Sequence, residues 1–271
     1  MPKRKRTSPS KDAAAAKRGP KRRTRARIEG SLSERARYAL AELERRGDAH
    51  ARDQLLPRFG IRAERAFGTS MEDVRALAKT LGHDHELAHA LWATGVHEAR
   101  ALAAFVADPE QLTPAEMDRF ARDFGDWATC DTLCFSLFDR TPHALAKVRA
   151  WSIAKGEFQR RAAFAVLAGA ALHRKDLDDD AFLAVLPLAE RAASDGRNFV
   201  KKAVSWALRS SGARSRVLHA AVLELARRLA RSADATERWI GRDVVRDLER
   251  PMVAERVARR EAKRASTKRR G

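Results

Sequence analysis

The sequence predicts an all-α protein, a curved α-solenoid of stacked antiparallel helix pairs with disordered basic tails. Three observations lead there. Apolar residues in the middle of the 271-residue chain recur at helical spacing between short breaks. No segment alternates apolar and polar residues with the two-residue period of a strand, and the abundant Ala, Leu and Arg favour helix. The charge is concentrated at the ends: the formal net charge is +19, yet residues 1–27 hold twelve basic residues and one acid, 255–271 hold eight basic residues and two acids, and 28–254 are near balance at +2.

The elements follow in order. Residues 1–27, with Pro2, Pro9 and Pro20 and no apolar period, read as a disordered arm. Ser31 with Glu34 forms a capping box for a helix to about Arg46, closed by Gly47. Ser70 with Asp73 opens SMEDVRALAKTLG, which Gly82 stops. Thr113, Pro114 and Glu116 supply an N-cap, an N1 proline and an N3 acid. Further helices are expected over 127–138, 142–153, 158–172, 181–193, 199–209, 214–231, 235–248 and 252–264. Their short connections suggest helix pairs stacked as an irregular solenoid, with a globular helical bundle as the alternative. The expected boundaries are an arm over 1–27, a helical domain over 28–254 and a basic tail over 255–271.

The positive field points to a polyanionic partner. A basic arm adds phosphate contacts that weaken with salt, although Pro2–Arg6 also resembles a nuclear-localisation signal. No run of about 18 apolar residues is present, so no membrane span is expected. The two cysteines, Cys130 and Cys134, lie four apart in an apolar stretch, where they fill core space and fit a reducing compartment. The expected location is cytoplasmic and nucleoid-associated.

Several groups of residues could carry chemistry. His85-Glu86-Leu87-Ala88-His89 matches the H-E-x-x-H pattern of zinc peptidases. Trp92 and Gly95 stand where the extended motif needs Gly and His, so His85 and His89 are expected on a helix surface and no metal is expected. His97 and Glu98 begin a helix and are expected to cap or pack. Trp127 and Asp131 share one helix face, where an aromatic face and a carboxylate suit a cation; the alternative is a core aromatic beside a surface acid. The segments 158–163 and 198–209 set basic side chains beside aromatics, as a nucleic-acid groove requires. A solvated helix face explains either segment nearly as well.

Taken together, Arg58-Phe59, Phe67-Gly68, Met71 to Arg75, Leu91 to Thr94, His97 to Ala103, Trp127 to Asp131, Arg160 to Ala163 and Phe199 to Arg209 resemble, in order and spacing, the AlkD-like DNA alkylation-repair glycosylases of the HEAT-like repeat superfamily. The resemblance spans about Arg52 to Leu248. It implies HEAT-like helix pairs whose concave basic face holds duplex DNA, and release of alkylated purines, chiefly N7-methylguanine and N3-methyladenine, without a metal or organic cofactor. It places Asp131 as the catalytic carboxylate, Trp127 and Trp206 as cleft tryptophans and Arg161 on the adjacent phosphate. Arg160, Lys202, Arg209 and Phe59 complete the expected DNA-binding set. The expected partner is double-stranded DNA containing alkylated bases, with neither membrane nor second subunit.

Three departures accompany the resemblance. Phe59 stands where the best-studied members have tyrosine, and Asp126 replaces an aromatic and sets a second carboxylate near the site. The stretch between Asp131 and Arg161 is also shorter, which leaves Arg160 as an alternative to Arg161. Branches of the superfamily bind DNA, including branched forms, with little or no excision, and a non-catalytic DNA-binding protein is therefore the alternative function.

Overall fold

The structure is a computed structural model that describes residues 29–268, with side chains through residue 262. The expected arm over 1–27 lies outside the described residues. Among those residues the chain forms α-helices and one 3-10 turn, with no strand. In order, the helices are α1 (Leu32–Arg45), α2 (Ala49–Asp53), α3 (Leu55–Phe59), α4 (Met71–Leu81), α5 (His85–Ala93), α6 (His97–Val106), α7 (Pro114–Arg122) and α8 (Trp127–Ser136). After the 3-10 turn Phe138–Arg140 come α9 (Ala144–Trp151), α10 (Glu157–His173), α11 (Asp179–Leu183), α12 (Leu186–Ala192), α13 (Asn198–Gly212), α14 (Arg216–Ala230), α15 (Ala235–Leu248) and α16 (Pro251–Lys268).

The helices build a two-row stack. One row runs α4, α6, α8, α10, α13, α15, each member packed on the next. The other row backs it: α5 packs on α6, α9 on α10, α12 on α13 and α14 on α15. Each amphipathic helix buries its apolar stripe between rows, so one core runs along the stack from Ala39 and Leu43 to Val244 and Leu248. At the centre α10 is buried on nearly every side, and its small residues Ala162, Ala163, Ala165, Ala168, Ala170 and Ala171 let α8, α9 and α13 approach closely.

The caps read from sequence are present. Ser31 and Thr113 form capping boxes with Glu34 and Glu116, Ser70 accepts from the Asp73 amide, and Gly82 ends α4 at φ +73°, a left-handed backbone region open to glycine.

Three expectations are corrected. The helix expected over 181–193 is two helices, because Pro187 lacks an amide proton and its ring clashes with the carbonyl of Leu183 in a continuous helix. The helix expected over 127–138 stops at Ser136 and tightens into the 3-10 turn. The tail from 255, expected to be disordered although a helix was also expected over 252–264, is largely helix: α16 crosses the expected boundary, buries Val253 and Val257 one turn apart, pairs Glu261 with Arg216 at 2.7 Å and sets Arg260 on the Ala213 carbonyl at 2.7 Å. A dense basic pattern concealed two core positions at i and i+4. Among the described residues, no helix is long and apolar enough to cross a membrane.

Candidate functional site

The predicted residues fall on consecutive members of one row. Trp127 and Asp131 are on α8, Arg160 and Arg161 on α10, and Lys202, Trp206 and Arg209 on α13. A cavity of about 710 Å³ opens where the first turns of α4, α6 and α8 meet α2 and α3, and Arg46, Phe59, Arg75, His97, Trp127 and Asp131 are among the residues that line it. The α4 and α8 N-termini at the cavity are already capped by Ser70 and Asp126, and Asp48, Asp73, Glu98 and Asp131 line it beside Arg46 and Arg75, so it carries both signs of charge. A second cavity, about 760 Å³, is lined by residues between Arg52 and Phe67 with Val96 and contains none of the predicted site residues.

The wall of the site is built from the loop after α3. Glu98, 3% exposed, accepts from the Phe67 and Gly68 amides at 2.9 and 2.7 Å and fixes that loop to α6. Gly68 sits at φ +81°, and a Cβ there would lie 2.0 Å from the Asp48 carbonyl oxygen, so glycine is required for the approach. Glu98 thus packs, as its place at a helix start suggested. Across the mouth, the Trp127 indole N–H donates to the Phe59 carbonyl at 2.9 Å, while the Phe59 ring is 44% exposed under the Arg58 guanidinium. Phe59 therefore orients Trp127 through its backbone, a contact that the absent tyrosine hydroxyl does not affect.

Asp131 is held by Arg161. Nε donates to Oδ1 at 2.8 Å and Nη2 to Oδ2 at 2.6 Å, a bidentate pair, and Nη1 donates to the Phe199 carbonyl at 2.7 Å. Burial pushes the Asp131 carboxyl above its ordinary value, with Arg161 pulling against it. Burial alone would lower the Arg161 guanidinium, but its bonds to Asp131 outweigh that and hold it raised. Arg161 is only 7% exposed and commits three of its five N–H donors to the protein, so in this conformation it positions Asp131 and lies beneath the surface that a phosphate would meet.

The other predicted residues are placed as follows. Asp126 is the N-cap of α8: its oxygens take the Thr129 amide and hydroxyl, each at 2.8 Å, and it is buried. It still raises Asp131 through space, after burial has done so. Arg160 pairs with Asp195 at 2.9 Å, Arg209 faces Asp243 at 3.6 Å, and Lys202 is exposed. Trp206 does not line the 710 Å³ cavity; it stacks on Phe135 at 5.5 Å and 27°, and Phe135 meets the His173 ring edgewise. Trp127, Asp131 and Phe135 follow one another at i, i+4 and i+8 on α8, and Phe135 carries that helix to Trp206. Sequence reasoning missed Phe135, Arg46 and Arg75; the four-residue spacing could have flagged Phe135, whereas the arginines enter only through the packing of α1 and α4. Cys130 and Cys134 are buried, and burial pushes the Cys134 thiol well up, which fits small core groups.

The stack and this site have counterparts. A family model described as "DNA alkylation repair enzyme" matches residues 39–260. A solved structure described as "A new family of proteins related to the HEAT-like repeat DNA glycosylases with affinity for branched DNA structures" superposes with a TM-score of 0.64 at 19% identity, over 78% of this chain and 94% of that one. No curated protein matches the sequence. The helical stack is thus a HEAT-like repeat fold. With the family model covering the whole row that carries Trp127, Asp131, Arg161 and Trp206, the chain belongs to the DNA alkylation repair enzyme family.

Proposed function

We propose that the protein is a DNA glycosylase that hydrolyses the N-glycosidic bond of alkylated purines, N7-methylguanine and N3-methyladenine, in duplex DNA. The observation that carries this reading is a carboxylate, Asp131, held bidentate by Arg161 at the edge of a cavity walled by Trp127. An alkylated purine is already cationic and leaves as a neutral base. The C1′–N9 bond breaks with its electron pair going to the purine, positive charge develops on the deoxyribose, and a water oxygen bonds to C1′ and releases a proton. Asp131 stabilises that charge and orients the water through the lone pairs that Arg161 leaves open. Trp127, fixed by the Phe59 carbonyl, offers its ring face to the sugar, and Trp206 on Phe135 offers a second face further along the strand. Arg161 acts as a positioning residue, while Lys202 and the basic arm supply phosphate contacts. The chemistry needs no pocket that takes in the base.

A second reading has its own support. Both Asp131 oxygens already face a guanidinium, which reduces the field available to a cationic sugar, and the superposed structure belongs to proteins described as having affinity for branched DNA. In that reading the same surface binds DNA without excision. Incubation with methylated duplex DNA and measurement of free N7-methylguanine separates the two. Release by wild type and its loss in Asp131→Asn support the enzyme; no release together with tight binding to four-way junctions supports the scaffold.

A further inference from the structure

The HELAH run acquires a third group from another helix. His85 opens α5, His89 lies one turn later, and Glu116 reaches them from the first turn of α7. His89 Nε2 lies 2.9 Å from Glu116 Oε1 and 3.2 Å from His85 Nε2, and His85 Nε2 lies 3.7 Å from Glu116 Oε1. Ligand atoms bound tetrahedrally at about 2.0–2.1 Å from zinc lie about 3.3 Å apart, so this triangle has the size of one face of a zinc tetrahedron. Glu116 is held in place: its Oε2 accepts from the Thr113 amide and hydroxyl, each at 2.8 Å, which leaves Oε1 facing the imidazoles. The three side chains are 14–23% exposed, so the fourth position can open to solvent while the donors stay fixed.

We propose that His85, His89 and Glu116 form a binding site for a zinc-class divalent cation that clamps α5 to α7. Two imidazoles and one carboxylate suit zinc, cobalt or nickel and not magnesium or calcium, which take oxygen ligands. Glu86, the base of the peptidase pattern, is turned away: its side chain is 73% exposed and its Oε2 lies 3.5 Å from Arg35. The site therefore lacks a carboxylate base opposite the open position, and its role is to join two helices. It is separate from the Trp127–Asp131 cavity, to which neither α5 nor α7 contributes a lining residue.

The tautomer of His89 sets a coupling. Arg119 Nη2 lies 2.8 Å from His89 Nδ1, and a guanidinium can only donate, so Nδ1 accepts and the ring proton sits on Nε2. For the metal to take the Nε2 lone pair, that proton must move to Nδ1 and the exposed Arg119 must swing aside. Arg119→Gln offers an amide oxygen to Nδ1–H and supports the ligating tautomer.

The test is titration of the full, tag-free chain with zinc chloride by calorimetry and with cobalt chloride by visible absorption. One equivalent is expected to bind and to raise the thermal midpoint. His85→Ala and Glu116→Gln are each expected to weaken binding at least tenfold, and Arg119→Gln to strengthen it. Glu116→Gln keeps an oxygen for the Thr113 cap, so circular dichroism can confirm that the loss occurs in a folded chain. Absence of saturable binding, equal affinity in the His85 and Glu116 variants, weaker binding in Arg119→Gln, or cobalt–thiolate bands from Cys130 and Cys134 would each overturn the assignment.

Discussion

Asp131 carries two demands that pull in opposite directions. Burial on α8 strengthens any field it exerts on a developing cation but raises the cost of its charge, and Arg161 compensates that cost while reducing the field. The compromise predicts a pH signature. Because the folded carboxyl titrates above its ordinary value, excision is expected to fall on the acid side at a higher pH than an unperturbed aspartate would give, and a kcat/KM profile checks this. The stability linkage has the opposite sense: a raised carboxyl adds stability fully below its unfolded value, and that stability is lost as pH rises through the folded one. An ionised Asp131 is thus held against stability, a trade common at functional sites. Asp131→Asn is expected to lower single-turnover excision by about 10²–10³, the range for removing one preorganised electrostatic contact. Arg161→Gln is expected to destabilise the fold by about 1–3 kcal/mol, because it leaves a half-buried carboxylate without its charged partner; urea denaturation measures this.

At the scale of the element, close approach decides what the sequence can vary. Gly241 lies where α15 crosses α14, and a Cβ there would lie 2.2 Å from the Ala230 amide nitrogen and 2.5 Å from the Ala226 carbonyl oxygen. Helix propensity alone would make Gly241→Ala stabilising by about 1 kcal/mol. The neighbouring atoms are backbone and cannot turn aside, so overpacking is expected to win and lower stability by about 1–3 kcal/mol. A rise in the denaturation midpoint would show that α14 and α15 part more readily than their contact implies. The same scale explains what was legible. Helices with a capping residue and a clear apolar stripe, such as α1, α4, α7 and α15, were readable because both signals are local. The α11–α12 break was not, since it depends on how Pro187 competes with a continuous apolar pattern; α16 was expected over 252–264, but its anchoring by two valines among many charges was not.

For the whole molecule, the excess charge is divided between an arm over 1–27, at +11, and the region 255–271, at +6. Phosphate contacts from such a segment are independent of sequence and release counterions, so deletion of 1–27 is expected to weaken DNA binding and lower its salt slope. Single-turnover excision at saturating protein is expected to remain. Loss of the chemical step on deletion would place the arm at the active site. The second basic region is mostly α16, so its charges are carried on a helix anchored by Val253 and Val257.

By itself the sequence determined the all-helical class and the caps at Ser31, Ser70 and Thr113, and it singled out Trp127, Asp131, Arg161 and Trp206 as candidates, because helix periodicity, capping chemistry and motif order are written along the chain. Only the tertiary structure decided how those residues meet. It put Arg161 on Asp131, set Trp127 against the Phe59 carbonyl, inserted Phe135 before Trp206 and brought Glu116 to His85 and His89. Each of those contacts joins segments about 30 or more residues apart, apart from the position of Phe135 on α8, and no local pattern encodes a distance between two helices that the packing of a third row member sets.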